Sequence, residues 1–135
     1  MYNVFSIFIV AFLLNGKIEP NNHILQEVFD KLDVTSFSNS IGPRREKDKK
    51  TFSDYGAFIV KIDNKKLFIS GENYTWKYTI TLLDKTNDGI KVCFEDRANN
   101  GGTYASQEAL LLKFSENNFL QASKIIHPKC EFFAK

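Results

Sequence analysis

Short segments in which apolar and polar residues alternate are the feature that most restricts how this chain folds. Residues 76–82 alternate in this way, which is the two-residue period of a half-buried β-strand. Asn87-Asp88-Gly89 follows and favours a tight hairpin turn, because these residues tolerate positive φ angles. Residues 90–94 then resume the alternation. The pattern predicts consecutive antiparallel strands in this half of the chain.

Further strand-like segments lie at 58–62, 67–69, 104–114 and 119–126. One segment that precedes all the strands has helical spacing instead, with apolar residues at Ile24, Leu25, Val28, Phe29 and Leu32. The 135 residues suffice for one domain with one core. The sequence therefore predicts an α+β fold, in which one N-terminal helix packs on a mainly antiparallel β-sheet meander of about six strands.

The first sixteen residues differ from the rest, because they contain no Lys, Arg, Asp or Glu. Their apolar run from Val4 to Leu14 is too short for a membrane-spanning helix, which needs about 20 residues. It has the length of a secretory signal core, and Gly16 permits cleavage, although no basic residue precedes the run. We predict a signal peptide at 1–16, a single domain at 17–135, and a periplasmic or secreted protein without a stable membrane span. The alternative is that the apolar run belongs to the core.

Two cysteines agree with export. Cys93 lies within a predicted strand and Cys130 follows the last one. In an oxidising compartment, a single pair of this kind is most simply a structural disulfide. We therefore predict a Cys93–Cys130 bond that ties the C-terminal tail to the sheet.

Motifs for known chemistries are missing from the sequence. His23 and His127, the two histidines, stand in no recognisable catalytic context, and no nucleophile elbow, phosphate-binding loop or calcium loop is present. The formal charge of +2 excludes a polycation that coats nucleic acid. We predict no catalytic residue, no metal, no cofactor and no nucleic-acid partner, and the chain is more consistent with a binding protein than with an enzyme.

Two surface segments are candidate binding sites. Residues 42–50 carry five basic and two acidic side chains, and Arg44 and Arg45 offer planar donors for carboxylates or phosphates. The alternative is a solvated loop without a partner.

Residues 94–104 form a longer connection than a hairpin needs, with Asp96, Arg97 and Tyr104 around the bend. A structural role is equally consistent there, with Asp96 paired to Arg97 and Tyr104 capping the core.

A third candidate is the pentapeptide Ser70-Gly71-Glu72-Asn73-Tyr74. It resembles the Ser-Gly-x-x-Tyr element of bacterial periplasmic lysozyme inhibitors, which are small exported β-rich domains that insert a loop into the cleft of the enzyme. The resemblance implies that Ser70 and Tyr74 contact a partner.

Two functions are consistent with these observations. The first is a small exported, non-enzymatic protein that recognises another macromolecule, such as a hydrolase that it inhibits or a toxin for which it is the immunity partner. Its predicted contact residues are Arg44, Arg45, Ser70, Tyr74, Asp96, Arg97 and Tyr104. The alternative resembles NTF2-like or cystatin-like domains, in which a sheet face with Trp76, Tyr78, Phe94 and Leu112 holds a small apolar ligand or substrate. An open cavity above about 300 Å³ on that face favours the alternative.

Overall fold

The computed structural model describes residues 20–37 and 41–135, so the predicted signal peptide lies outside the described residues. Helix α1 spans Pro20–Lys31. The strands are β1 Phe58–Asp63, β2 Lys66–Ser70, β3 Trp76–Thr86, β4 Gly89–Ala98, β5 Ala105–Phe114, β6 Leu120–Ile125 and β7 Phe133–Ala134.

The six longer strands follow one another in space as they do in sequence, and each is antiparallel to the next. The predicted α+β fold with a meander is confirmed. The turn at 87–89 is confirmed as well, since β3 ends at Thr86 and β4 begins at Gly89. The short strand β7, which pairs with β5, was not predicted.

One face of the sheet packs against α1. Its apolar stripe of Leu25, Val28, Phe29 and Leu32 is buried, as the helical spacing predicts. The C-terminal end of the helix reaches the far edge of the sheet, where Asp33 N–H donates to the Leu120 carbonyl at 2.9 Å. Within the described residues, no helix has the length and apolar character that crossing a membrane requires.

The other face carries the disulfide. The Cys93–Cys130 bond is present, with 5.5 Å between the two Cα atoms. Cys93 packs with Ala109 beneath the C-terminal tail. The tail then continues into β7, which places Phe133 opposite Gln107 of β5. The predicted tie between the tail and the sheet is confirmed.

The long connection between α1 and β1 is anchored in two places within its described part. Val34 N–H donates to the Lys50 carbonyl at 2.7 Å. Further along, the Asp54 carboxylate accepts the N–H groups of Lys50 and Thr51 at 2.9 and 3.0 Å, and these bonds lower its pKa. Phe52, between these anchors, is fully buried in the core. The basic segment 42–50 is therefore flanked by ordered chain.

Candidate ligand-binding cavity

A cavity of about 930 Å³, partly open to solvent, lies at one end of the helix-facing side of the sheet. The β2–β3 and β4–β5 connections meet at this end, and the segment 41–45 lies across it. Aromatic side chains and one buried carboxylate dominate the described wall. Its described lining includes Phe37, Trp76, Tyr78, Asp96 and Tyr104.

Strand register places the central group of the cavity. Asp96 of β4 is the direct cross-strand partner of Tyr78 of β3 and of Ser106 of β5. Direct partners share one face of a sheet, so Asp96 lies on the same face as Tyr78 and as Phe94, two residues earlier. The alternation of β4 predicts an apolar residue at this inward position. The residue there is acidic instead.

The Asp96 carboxylate is held by two donors. Trp76 Nε1–H donates to one oxygen, and Gly42 N–H donates to the other at 2.7 Å. The residue is only 1% exposed. Burial raises the pKa of this carboxyl above its ordinary value, and the two hydrogen bonds act in the opposite direction.

The described part of the chain gives Asp96 no cationic partner. Among the described residues, no Lys, Arg or His forms an ion pair with this carboxylate. Glu108, which is equally buried, differs because Lys124 Nζ lies 3.4 Å from its Oε1. A buried charge without a cation is costly to the fold, which makes Asp96 a candidate for a function other than stability.

Gly42 fixes the segment that covers the cavity. Its φ angle is +79°, a conformation that residues with a Cβ rarely adopt. A Cβ at this position would also lie 2.7 Å from Cε2 of the Phe37 ring. The glycine therefore allows the backbone to approach closely enough to donate to Asp96.

Aromatic rings form the wall around the carboxylate. The Trp76 and Tyr104 ring centroids lie 5.5 Å apart, and Tyr78 packs on Phe94 at 5.9 Å. Burial raises the pKa of the Tyr78 hydroxyl, and the nearby Asp96 charge raises it further. Tyr78 therefore remains a protonated phenol at neutral pH. The wall offers flat apolar surfaces together with few polar groups, which is the usual composition of a small-molecule site.

The mouth of the cavity carries charges of both signs. Arg44 is exposed there, and Glu72 lies on the opposite connection, between β2 and β3. The guanidinium of Arg45 donates from Nη2 to the Phe37 carbonyl at 2.6 Å. This bond ties the Arg45 side chain to the backbone of Phe37, which precedes the covering segment.

Four of the predicted site residues are brought together by the structure. They come from two segments that are far apart in sequence and line the same cavity: Arg44, Arg45, Asp96 and Tyr104. Asp96 is not on the bend, however, because β4 continues to Ala98. Whether these four residues bind a ligand or a partner stays a prediction.

The other three predicted residues lie elsewhere. The Ser70 hydroxyl is buried and donates to the Gly71 carbonyl at 3.0 Å. Tyr74 is 67% exposed and contacts Phe58, with 5.4 Å between ring centroids. Arg97 Nε donates to Glu95 Oε1 at 2.7 Å. The alternative pairing of Asp96 with Arg97 is wrong, because neighbouring residues of a strand point to opposite faces.

The pocket alternative is corrected in one respect. Trp76 and Tyr78 line the cavity, whereas Phe94 and Leu112 are fully buried in the core beneath α1. The roles of Phe37 and Gly42 were missed. Neither residue carries a local signal, since both act through contacts with distant strands.

Comparison of the chain with protein-family models, with curated proteins and with solved structures finds no match. Interpretation of the cavity therefore depends on its own chemistry. Within the described ranges, no group of three His, Cys, Asp or Glu side chains is arranged to hold a metal ion. The described wall has one buried carboxylate, phenols and aromatic rings, which are groups that bind and orient an organic molecule.

Proposed function

We propose that this chain is an exported binding protein that holds a small organic ligand in the cavity beside Asp96. The observation that supports this most strongly is the cavity itself, whose volume of about 930 Å³ lies well above the lower size limit of ligand sites, about 300 Å³. Its aromatic wall and few inward polar groups match the composition of such sites. Of the two functions considered from sequence, the geometry favours the pocket.

The described lining is better suited to binding than to covalent catalysis. It contains no His, Cys, Ser or Lys side chain, and its acidic and hydroxyl side chains are Glu72, Thr75, Asp96 and three tyrosines. The inward carboxylate already accepts two hydrogen bonds, from Trp76 and Gly42, that hold it in one orientation. A fixed acceptor surrounded by rings selects and orients a ligand.

Export is supported by the uncharged apolar segment at 1–16 and by the disulfide. The expected result is a mature chain that begins at Lys17 and is recovered outside the cytoplasm of its native host. Intact mass spectrometry of cell fractions, with thiol alkylation before and after reduction, measures both properties. A full-length cytoplasmic chain with two alkylated thiols would contradict export.

Occupancy of the cavity can be measured directly, because Trp76 is the single tryptophan of the chain. A ligand in the cavity is expected to change Trp76 fluorescence saturably. Tyr104→Ala removes a ring that packs on Trp76 and should weaken binding about tenfold. Titrations of the wild-type protein with small ring compounds, for which 2-phenylethanol is a first probe, test this expectation.

Tyr74→Ala is the matched control, since it removes the same side chain from an exposed position outside the cavity. It should leave the affinity for the probe unchanged. Equal weakening by Tyr74→Ala and Tyr104→Ala would contradict the cavity as the binding site. If neither 2-phenylethanol nor larger or charged ring compounds change the fluorescence saturably, the proposed function fails.

Recognition of a macromolecule is the second candidate function. The exposed Phe58–Tyr74 ring pair favours it, because exposed aromatic side chains are typical anchors in protein interfaces. A partner protein bound at this pair predicts the reverse mutational pattern: Tyr74→Ala weakens the complex, and Tyr104→Ala, which lies in the cavity, does not. The same two variants therefore separate the two functions.

A further inference from the structure

We infer that the ligand carries a positively charged amine or amidine that binds the Asp96 carboxylate, while its apolar part lies against the Trp76 and Tyr104 rings. This inference rests on the proposed ligand-binding function and adds the chemical class of the ligand. It concerns the protonated nitrogen of the ligand, whether that nitrogen belongs to an alkylamine or to an amidine.

The Asp96 carboxylate has hydrogen-bond donors but no cationic partner within the described residues. Two N–H donors orient its carboxylate, yet no cation among the described residues neutralises it. Each carboxylate oxygen accepts about two hydrogen bonds, so each retains one acceptor position beyond the bond from Trp76 or Gly42. A ligand cation supplies both the missing donor and the missing charge.

The surface beside the carboxylate is aromatic. Trp76 donates its indole N–H to Asp96, and its ring packs with that of Tyr104. The Tyr78 ring lies beside the carboxylate on β3. The apolar part of a ligand whose nitrogen binds Asp96 can therefore pack against these rings.

The arginines do not take the place of this cation. Arg45 donates to the Phe37 carbonyl, and Arg44 lies exposed at the mouth. The mouth also contains Glu72, so its charges are mixed. A small cation that enters therefore passes an acidic group as well as basic ones. At the inner end, by contrast, Asp96 is the one buried charged side chain among the described lining residues.

Three compounds that share a phenylethyl group test the inference in the wild-type protein. They differ only at the end of the chain, which is cationic in phenethylamine, neutral in 2-phenylethanol and anionic in 3-phenylpropionate. We expect phenethylamine to bind about 10- to 100-fold more tightly than 2-phenylethanol, as is typical for a hydrogen bond between charged groups. Titration of Trp76 fluorescence gives the three dissociation constants.

Asp96→Asn then identifies the residue responsible for the preference. The amide removes the negative charge at nearly constant volume, so phenethylamine and 2-phenylethanol should bind this variant with similar affinity. Circular dichroism first establishes that the variant is folded. If it does not fold, the three compounds in the wild-type protein still decide whether the ligand is cationic, and the nuclear magnetic resonance signals of Trp76 Nε1–H and Gly42 N–H, which both donate to Asp96, decide the assignment to this residue.

The outcomes distinguish failure of the cationic-ligand inference from failure of the proposed ligand-binding function. Equal binding of the amine and the alcohol, or tightest binding of 3-phenylpropionate, would overturn the cationic ligand while leaving the cavity as a binding site. A preference for the amine that persists in folded Asp96→Asn would overturn the assignment to Asp96. The absence of a saturable response to any ring compound would overturn both proposals.

Discussion

Replacement of both Cys93 and Cys130 by alanine is expected to lower the free energy of unfolding by about 4 kcal/mol. The bond joins residues that are 37 positions apart, so its loss frees a long loop in the unfolded chain. Because the unfolded state gains conformational entropy, the folded state becomes less stable relative to it. Urea denaturation at neutral pH measures the difference.

Reductant provides the control for this prediction. It should destabilise the wild-type protein by a similar amount and have no effect on the double alanine variant. The cavity should still bind its probe below the unfolding transition, since Cys93 and Asp96 lie on opposite faces of β4. Denaturation curves that coincide with and without reductant would contradict the stabilising role of the disulfide.

Phe52→Ala is expected to lower the free energy of unfolding by about 3–5 kcal/mol. The Phe52 ring is fully buried, and its centroid lies 5.4 Å from that of Tyr78 and 5.9 Å from that of Phe29. The truncation removes apolar contacts and leaves a void between α1 and the sheet. The measurement is again the denaturation midpoint, with the slope used to check two-state behaviour.

Two variants calibrate this effect. Phe52→Leu keeps most of the apolar volume and should cost less than half as much. Phe132→Ala removes the same ring from a position that is 53% exposed, and its effect should stay within about 0.5–1 kcal/mol. A loss for Phe52→Ala no larger than that for Phe132→Ala would show that the aromatic layer beneath the cavity is not a stabilising core.

The meander could be predicted because its signals are local. Residues 76–82 and 90–94 alternate with a period of two, and the turn between them is encoded by the residues at 87–89. The strand β7 could not be predicted in this way. It comprises Phe133–Ala134 alone, too short for any periodicity, and it follows the point at which the disulfide fixes the tail.

The cavity depends on contacts that the sequence does not display. The sequence predicts that Asp96 lies at a bend, whereas it belongs to the last part of β4. The decisive contact joins Gly42 to Asp96 across 54 positions of sequence. The composition of residues 42–50 indicates an exposed basic segment, either a binding site or a solvated loop, and only the packed sheet reveals that the start of this segment covers a carboxylate.

Binding of a cationic ligand beside Asp96 can be tested most directly by nuclear magnetic resonance. Trp76 Nε1–H and Gly42 N–H both donate to this carboxylate, and a single tryptophan gives a single indole signal. During a titration with phenethylamine, we expect both signals to shift together with one dissociation constant and to shift more than the rest of the spectrum. Shifts confined to residues outside the cavity, with these two signals unchanged at saturation, would contradict the account.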